Sequence, residues 1–252
     1  MQDIYIGDEG KGFPLVLVHG FLGSSTMWKP QIDFLKNHFR VITPDLPGFG
    51  KSKKAKSHNS IQSLSNLILD CLNEKNINKF HLLGHSMGGM IVQEMAKKKG
   101  DRISKLICYS TGPIGEMPGR FETVDESREN LKKNGLKNTA RNIAKTWFVK
   151  GENAKYFNVC IDAGMQTSIE AADNSLIAFK NWNGVDTLKN IKNKTLIIWG
   201  DKDKSYNLTQ TKTLEKNISN SSLVIFEGCA HNIHLEKIEE FNRTVLNFIN
   251  NE

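Results

Sequence analysis

One short segment has residue types whose spacing could support nucleophilic catalysis. Gly84-His-Ser-Met-Gly88 has the pattern Gly-x-Ser-x-Gly, which places a serine hydroxyl on a very tight turn between a strand and a helix. Glycines are needed there because side chains beside the serine would clash. An apolar run, Phe80 to Leu83, precedes the pattern, and a helical stretch, Met90 to Lys99, follows it. This context predicts that Ser86 is an exposed nucleophile rather than a capping serine in a structural turn.

A serine hydroxyl needs a neighbouring base to accept its proton, and the chain offers seven histidines. His19 and His85 adjoin a predicted strand end and the serine itself, where packing roles suit them better. His231 lies in a loop after the last predicted strand, and His234 starts a helical stretch three residues later. The pair His231 and His234 also suggests a metal site, but no third ligand with matching context is present. We therefore predict no metal.

A histidine base needs an acid that fixes its tautomer and stabilises the imidazolium. Two aspartates, Asp201 and Asp203, follow the apolar run Thr195 to Trp199. The residue types alone leave both open.

The elements that must position these side chains can be read from the alternation of apolar runs and amphipathic stretches, which is typical of a parallel sheet flanked by helices. The predicted strands cover Leu15–Val18, Arg40–Thr43, Phe80–Leu83, Ile103–Tyr109, Thr195–Trp199 and Leu223–Phe226. Further predicted helices cover Met27–Asn37 with Thr26 as its cap, Ile61–Lys75 with Ser60 as its cap, and Ile238–Ile249.

The alternation is interrupted between Pro113 and about Val185, where helical stretches with aromatic residues replace the short strands. We predict a core formed by residues 1–112 and 186–252, with a helical lid, residues 113–185, inserted between two core strands. The apolar face of such a lid would close a pocket over the serine, and its polar face would meet water.

Five motifs in order carry a resemblance to a known family. They are His19-Gly-Phe-Leu-Gly23, Pro44-Asp-Leu-Pro-Gly-Phe-Gly-Lys-Ser52, Gly84-His-Ser-Met-Gly-Gly89, Gly200-Asp-Lys-Asp203 and Gly228-Cys-Ala-His231. Essentially end to end, the chain resembles the α/β-hydrolase family, in its lid-bearing branch of small esterases, lactonases and carbon–carbon bond hydrolases. The resemblance implies an α/β fold with a mostly parallel central sheet flanked by helices. It is much less specific for the reaction.

The resemblance also implies roles for individual residues. The family places its base in the loop after the last strand, which points to His231, and its Gly-x-x-Asp pattern points to Asp203 as the acid. Asp201 then stabilises its loop. The backbone N–H groups of Met87, next to the nucleophile, and of Phe21, after the His-Gly turn, are expected to form the oxyanion hole.

The expected reaction is hydrolysis of a small carboxylic ester through an acyl-enzyme on Ser86, which needs no cofactor. A lactonase, a carbon–carbon bond hydrolase and a low-turnover ligand receptor on the same fold stay open. A dehalogenase is disfavoured because its nucleophile would be an aspartate. The candidate pocket residues are Leu22, Trp28, Trp147, Phe148 and Trp182, and core packing is the alternative role for these aromatic side chains.

The charge and hydropathy of the chain limit its partners. The net charge is +7, but the lysines are scattered and match no nucleic-acid motif, so we expect a solvated surface and no nucleic-acid partner. The longest apolar runs are too short to cross a bilayer, and Met1 to Gly10 lacks a basic, apolar leader. We therefore expect a cytoplasmic protein with a small-molecule substrate and no membrane contact. The oligomeric state is not indicated.

Overall fold

The computed structural model describes residues 4–116 and 121–251. Its strands are β1 (Ile6–Glu9), β2 (Pro14–Val18), β3 (Arg40–Pro44), β4 (Phe80–His85), β5 (Ile103–Tyr109), β6 (Lys194–Gly200) and β7 (Ser221–Phe226). They form one sheet in the order β1-β3-β2-β4-β5-β6-β7. Neighbouring strands are parallel except for the antiparallel pair of β1 and β3. The predicted α/β fold with a mostly parallel sheet is confirmed.

The α-helices of the described residues alternate with the strands as the sequence pattern predicts. They are α1 (Lys29–Leu35), α2 (Ile61–Glu74), α3 (Met87–Lys99), α4 (Val124–Thr146), α5 (Phe157–Met165), α6 (Ile169–Asn181), α7 (Leu208–Asn217), α8 (Ile233–Glu236) and α9 (Ile238–Asn250). None of these helices combines the length and the apolar character that a bilayer span requires.

The central strand β2 is apolar throughout because helices cover both faces of the sheet. In β2, Leu15 and Leu17 belong to the same hydrophobic cluster as residues of α1 and α9. The alternate residues Val16 and Val18 belong to the cluster that contains residues of α2 and α3. All four side chains are buried, so this strand contributes to the core on both faces.

The two predicted helix starts have different outcomes. The Ser60 hydroxyl accepts a hydrogen bond from the Ser63 N–H at 3.2 Å and caps α2, as predicted. The predicted cap at Thr26 is wrong, because this residue lies inside a 3-10 turn and α1 begins at Lys29. An α-helix that started at residue 27 would need an N–H at Pro30 to donate to the Thr26 carbonyl, and proline has none.

Helices α4, α5 and α6 lie in sequence between β5 and β6. The chain enters and leaves this inserted segment at neighbouring positions, since the Gly184 N–H donates to the Pro113 carbonyl at 2.8 Å and the Gly115 N–H donates to the Trp182 carbonyl at 3.1 Å. Within α4, Gly135 has a φ of 72° and interrupts the helical geometry. The segment is therefore a helical insertion between β5 and β6, which remain paired in one continuous sheet.

Close contact between α3 and β2 gives a testable property of the fold. A Cβ at Gly88 would lie 2.3 Å from the Val18 carbonyl oxygen and 2.7 Å from that of His19. Because these are backbone atoms, we expect Gly88→Ala to lower the free energy of unfolding by about 1–3 kcal/mol, measured by urea denaturation. Gly100→Ala is the control, since its nearest neighbour is a side-chain oxygen of Asn193 at 3.1 Å. Equal stability of the two variants would contradict this account.

Candidate active site

The turn between β4 and α3 holds Ser86 in an unusual backbone conformation. Its φ of 56° and ψ of −118° lie in a region that residues with side chains rarely adopt. Hydrogen bonds hold the turn from both sides. The Ser86 N–H donates to the Tyr109 carbonyl at 2.9 Å, and the Ser86 carbonyl accepts from the Thr111 hydroxyl at 2.8 Å. The chain around the serine is thus constrained before any ligand binds.

Two glycines allow other backbone segments to approach this turn closely. A Cβ at Gly84 would lie 2.2 Å from the Gly88 carbonyl oxygen, so the strand and the helix touch where they join. A Cβ at Gly20 would lie 2.9 Å from the Cβ of Ser86. The loop after β2 therefore lies directly against the serine.

The two residues predicted as acid and base lie in contact. His231 Nδ1 is 2.9 Å from Asp203 Oδ2, and both side chains are almost completely buried. The other carboxylate oxygen accepts hydrogen bonds from the N–H groups of Ser205 at 2.7 Å and Tyr206 at 3.3 Å. A carboxylate held in this way favours the tautomer with the proton on Nδ1, which leaves Nε2 of His231 able to accept a proton.

The second aspartate of this loop has a different environment. Asp201 Oδ1 accepts a hydrogen bond from the Gly228 N–H at 2.6 Å, and Asp201 Oδ2 lies 2.8 Å from Lys202 Nζ. The lysine ammonium lowers the pKa of this carboxyl group. These contacts join the loop after β6 to the loop after β7.

Aromatic rings surround the imidazole of His231. The ring of Tyr206 stacks on it at a centroid distance of 5.8 Å and an interplanar angle of 15°, and the rings of Trp147 and His85 lie at 6.1 and 4.6 Å. The backbone carbonyl of His231 accepts a hydrogen bond from the Tyr109 hydroxyl at 3.0 Å. Both the ring and the backbone of this residue are therefore held in place.

The neighbouring histidines lie in the core behind the site. His234 Nδ1 is 2.9 Å from the Tyr109 hydroxyl oxygen, and burial lowers the pKa of His234 to about 3. Burial also lowers the pKa of His85 well below its ordinary value. Both imidazoles are consequently neutral at pH 7, in keeping with the packing role that we expected for His85.

A small cavity contains the serine and the histidine. The residues that line it are Phe21, Ser86, Gly115, Phe121, Ile143, Trp147, Phe179, Ser205, Tyr206 and His231. Its volume is about 20 Å³, room for about one water molecule. In the described part of the chain, no Lys, Arg, Asp or Glu side chain is among the lining residues. The described lining is therefore largely apolar and carries no fixed charge, with hydroxyl and imidazole groups from Ser86, Ser205, Tyr206 and His231.

The predicted pocket residues are only partly in this cavity. Trp147 lines it, whereas the other four candidates, Leu22, Trp28, Phe148 and Trp182, are not among its lining residues. Trp28 packs beneath the site, with its ring centroid 4.8 Å from that of His234. The Trp182 indole N–H donates to Glu94 Oε1 at 3.1 Å, and Phe148 lines a surface groove instead.

Several wall residues were not singled out as pocket candidates from the sequence. They are Phe121, Ile143, Phe179 and Tyr206. Ile143 could have been predicted from the sequence, because it precedes the candidate Trp147 by four residues and residues at this spacing lie on the same helix face. The contributions of Phe121 and Phe179 depend on how the helices of the inserted segment pack together.

The two backbone groups predicted as oxyanion donors belong to residues beside the serine. Met87 is the first residue of α3, where an N–H has no acceptor within the helix. Phe21 follows Gly20, which touches the serine, and it lines the cavity. Two N–H donors near a nucleophile and a base would stabilise the negative charge of a tetrahedral intermediate.

Comparisons with known proteins agree with this architecture. Residues 14–238 match the model of the alpha/beta hydrolase fold family. A pimeloyl-[acyl-carrier protein] methyl ester esterase of Legionella pneumophila is 31% identical to the chain, covering 98% of this chain and all of the esterase. A 2-hydroxy-6-oxononadienedioate/2-hydroxy-6-oxononatrienedioate hydrolase of Pseudomonas putida is 30% identical, over 98% of this chain and 92% of that enzyme.

The structural similarity is equally extensive. An esterase from Exiguobacterium antarcticum superposes with a TM-score of 0.91 at 24% identity, covering 99% of this chain and 96% of that structure. At this identity the similarity demonstrates the fold alone. Together with the family match over residues 14–238, the fold and the full-length relatives lead to one conclusion: the chain belongs to the α/β-hydrolase family.

Proposed function

We propose that the protein is a serine hydrolase that cleaves small, uncharged carboxylic esters through an acyl-enzyme on Ser86. The observation that carries this proposal is the contact of 2.9 Å between His231 Nδ1 and Asp203 Oδ2, beside a cavity that Ser86 and His231 share. The proposed arrangement contains a nucleophile, a base and an acid in the chain order expected for this fold.

In the proposed mechanism, the Ser86 hydroxyl attacks the ester carbonyl and passes its proton to His231 Nε2. Asp203 stabilises the imidazolium that forms, and the N–H groups of Phe21 and Met87 stabilise the oxyanion. The carbon–oxygen bond to the alcohol then breaks, and His231 returns the proton to the departing alkoxide. Water repeats the attack on the acyl-enzyme and releases the carboxylic acid, which regenerates the serine.

The cavity favours small, neutral substrates over dicarboxylates. The name of the Pseudomonas putida relative describes dicarboxylate substrates, and a carboxylate buried near the serine would require a cationic partner. None of the described lining residues is a lysine or an arginine. An uncharged ester avoids this unfavourable desolvation, so esterase activity is favoured over carbon–carbon cleavage of a dicarboxylate.

We further propose that the inserted segment, residues 113–185, acts as a lid that selects the acyl group. Five of its described residues line the cavity opposite the loops of the core: Gly115, Phe121, Ile143, Trp147 and Phe179. With room for about one water molecule, the cavity must enlarge when a substrate enters. Displacement of this helical segment is the simplest route to a larger cavity, since the sheet beneath is fully packed.

The first test of this function removes the nucleophile. Ser86→Ala should abolish hydrolysis of p-nitrophenyl acetate, lowering kcat/KM by several orders of magnitude, because loss of a triad residue leaves only binding and oxyanion stabilisation. After treatment with a small organophosphate, mass spectrometry should find one equivalent of the label on Ser86 of the wild-type protein and none on the Ser86→Ala variant. A variant with a tenth of the original rate would contradict an acyl-enzyme on this serine. Tight ester binding without turnover by the unmodified protein would favour a receptor instead.

A second test separates the two aspartates of the loop after β6. Asp203→Asn should lower kcat by about 10⁴-fold, because the amide no longer favours the productive tautomer of His231. Asp201→Asn is the matched control, and it should mainly lower the unfolding temperature, since its contacts are to Gly228 and Lys202. A larger kinetic loss for the Asp201 variant would overturn this assignment.

A third test addresses the wall of the cavity. Phe179 and Phe148 are both buried phenylalanines of the inserted segment, but only Phe179 lines the cavity. The substrates are p-nitrophenyl octanoate and p-nitrophenyl acetate. Phe179→Ala should raise the ratio of kcat/KM for the octanoate to kcat/KM for the acetate, because the smaller side chain opens space beside the serine. Phe148→Ala should leave this ratio within about twofold of its original value. The loss of this buried side chain leaves a void away from the serine, and such a void lowers the free energy of unfolding. The same change in ratio for both variants would exclude a selective role for the wall.

A further inference from the structure

The loop that carries the histidine, residues 228–232, is bonded to the inserted segment on both sides of His231. The Asn232 N–H donates to the Trp147 carbonyl at 3.0 Å, and the Asn232 side-chain amide donates to Cys160 Sγ at 3.3 Å. Trp147 also lines the cavity. One cavity wall is therefore hydrogen-bonded to the residue that follows the proposed base.

Glu236 makes the corresponding connection on the other side of His231. Its Oε1 accepts a hydrogen bond from the Val149 N–H at 2.7 Å, and its Oε2 accepts one from the Ala230 N–H at 2.7 Å. Val149 is two residues from Trp147, and Ala230 immediately precedes the histidine. A single carboxylate thus joins the histidine loop to the segment that carries the cavity wall, through two short charge-assisted hydrogen bonds.

The side chain of Glu236 is half-buried at the base of a surface groove, outside the cavity that contains the serine. It contacts neither Ser86 nor the cavity, so it has no direct part in the proposed chemistry. Loss of its carboxylate would leave the N–H groups of Val149 and Ala230 without this acceptor. The two backbone segments could then shift relative to each other, although each would keep its remaining contacts.

We propose that Glu236 is a positioning residue, whose carboxylate sets the position of His231 relative to the cavity wall at Trp147. This inference rests on the proposed serine-hydrolase function. Displacement of a catalytic group by about 1 Å can lower a rate by about 100-fold, which gives the carboxylate a kinetic role beyond stability.

The experiment compares Glu236→Gln and Glu236→Ala with the unmodified protein and with a matched control, Glu94→Gln. Glu94 is also a buried carboxylate that contacts the inserted segment, through the Trp182 indole N–H, but it has no contact with the histidine loop. For each variant, kcat and KM for p-nitrophenyl acetate and butyrate are measured well below the unfolding temperature. The rate of Ser86 labelling by a small organophosphate is measured in parallel.

We expect Glu236→Ala to lower kcat and the labelling rate by about 10- to 100-fold, because both need a positioned base. Glu236→Gln keeps one acceptor oxygen and should give an intermediate loss. The ratio of butyrate to acetate hydrolysis should also change in both variants, since the Trp147 wall is released. Glu94→Gln should keep the original kcat and ratio.

A folded Glu236→Ala variant with kcat and selectivity within twofold of the original values would overturn the inference. If Glu236→Ala does not fold, Glu236→Gln is judged by the same two criteria, kcat and selectivity. An equal loss of kcat in Glu94→Gln would mean that any weakening of the inserted segment lowers the rate. This result would also overturn the inference. If Ser86→Ala stays active, the proposed function itself fails, whatever the result at Glu236.

Discussion

The backbone conformation at Ser86 is the constraint on which the candidate site depends. A residue with a side chain held at this φ and ψ costs about 1–3 kcal/mol, so the surrounding structure must supply the difference. Two hydrogen bonds contribute. The Thr111 hydroxyl donates to the Ser86 carbonyl, and the Ser86 N–H donates to the carbonyl of Tyr109 on the adjacent strand β5. Contact between the backbones at Gly84 and Gly88 leaves the turn no room to relax. Ser86 lines the cavity from this constrained turn.

The parallel sheet explains how distant residues meet at this serine. Because β2, β4, β6 and β7 run in the same direction, the loops after their carboxyl ends lie at the same edge of the sheet. These loops carry Phe21, Ser86, Asp203 and His231. Asp201, which lies outside the proposed chemistry, joins the last two of these loops by its hydrogen bond to the Gly228 N–H.

The inserted segment supplies what the sheet cannot, a wall opposite the serine. Its side chains reduce the cavity to about 20 Å³, and its backbone is bonded to the loop of the histidine through Asn232 and Glu236. In the proposed function, substrate entry and the position of the base would therefore depend on the same few contacts. If the proposed lid role holds, the segment that covers the cavity is also hydrogen-bonded to both neighbours of His231 in the chain, directly to Asn232 and through Glu236 to Ala230.

The sequence by itself determined the mostly parallel sheet, all of its strands except β1, and the turn at Ser86, because each depends on local patterns such as apolar runs that alternate with amphipathic stretches and close-packed glycines. The choice of Asp203 and His231 came from family resemblance, and their catalytic roles stay predictions. Only the tertiary structure decided which residues line the cavity. Trp28 packs against His234 in the core, whereas Ile143 reaches the cavity from α4. The carboxylate of Glu236 accepts a hydrogen bond from the Val149 N–H, 87 residues away in sequence, and such contacts have no sequence signature because they arise from the packing of whole elements.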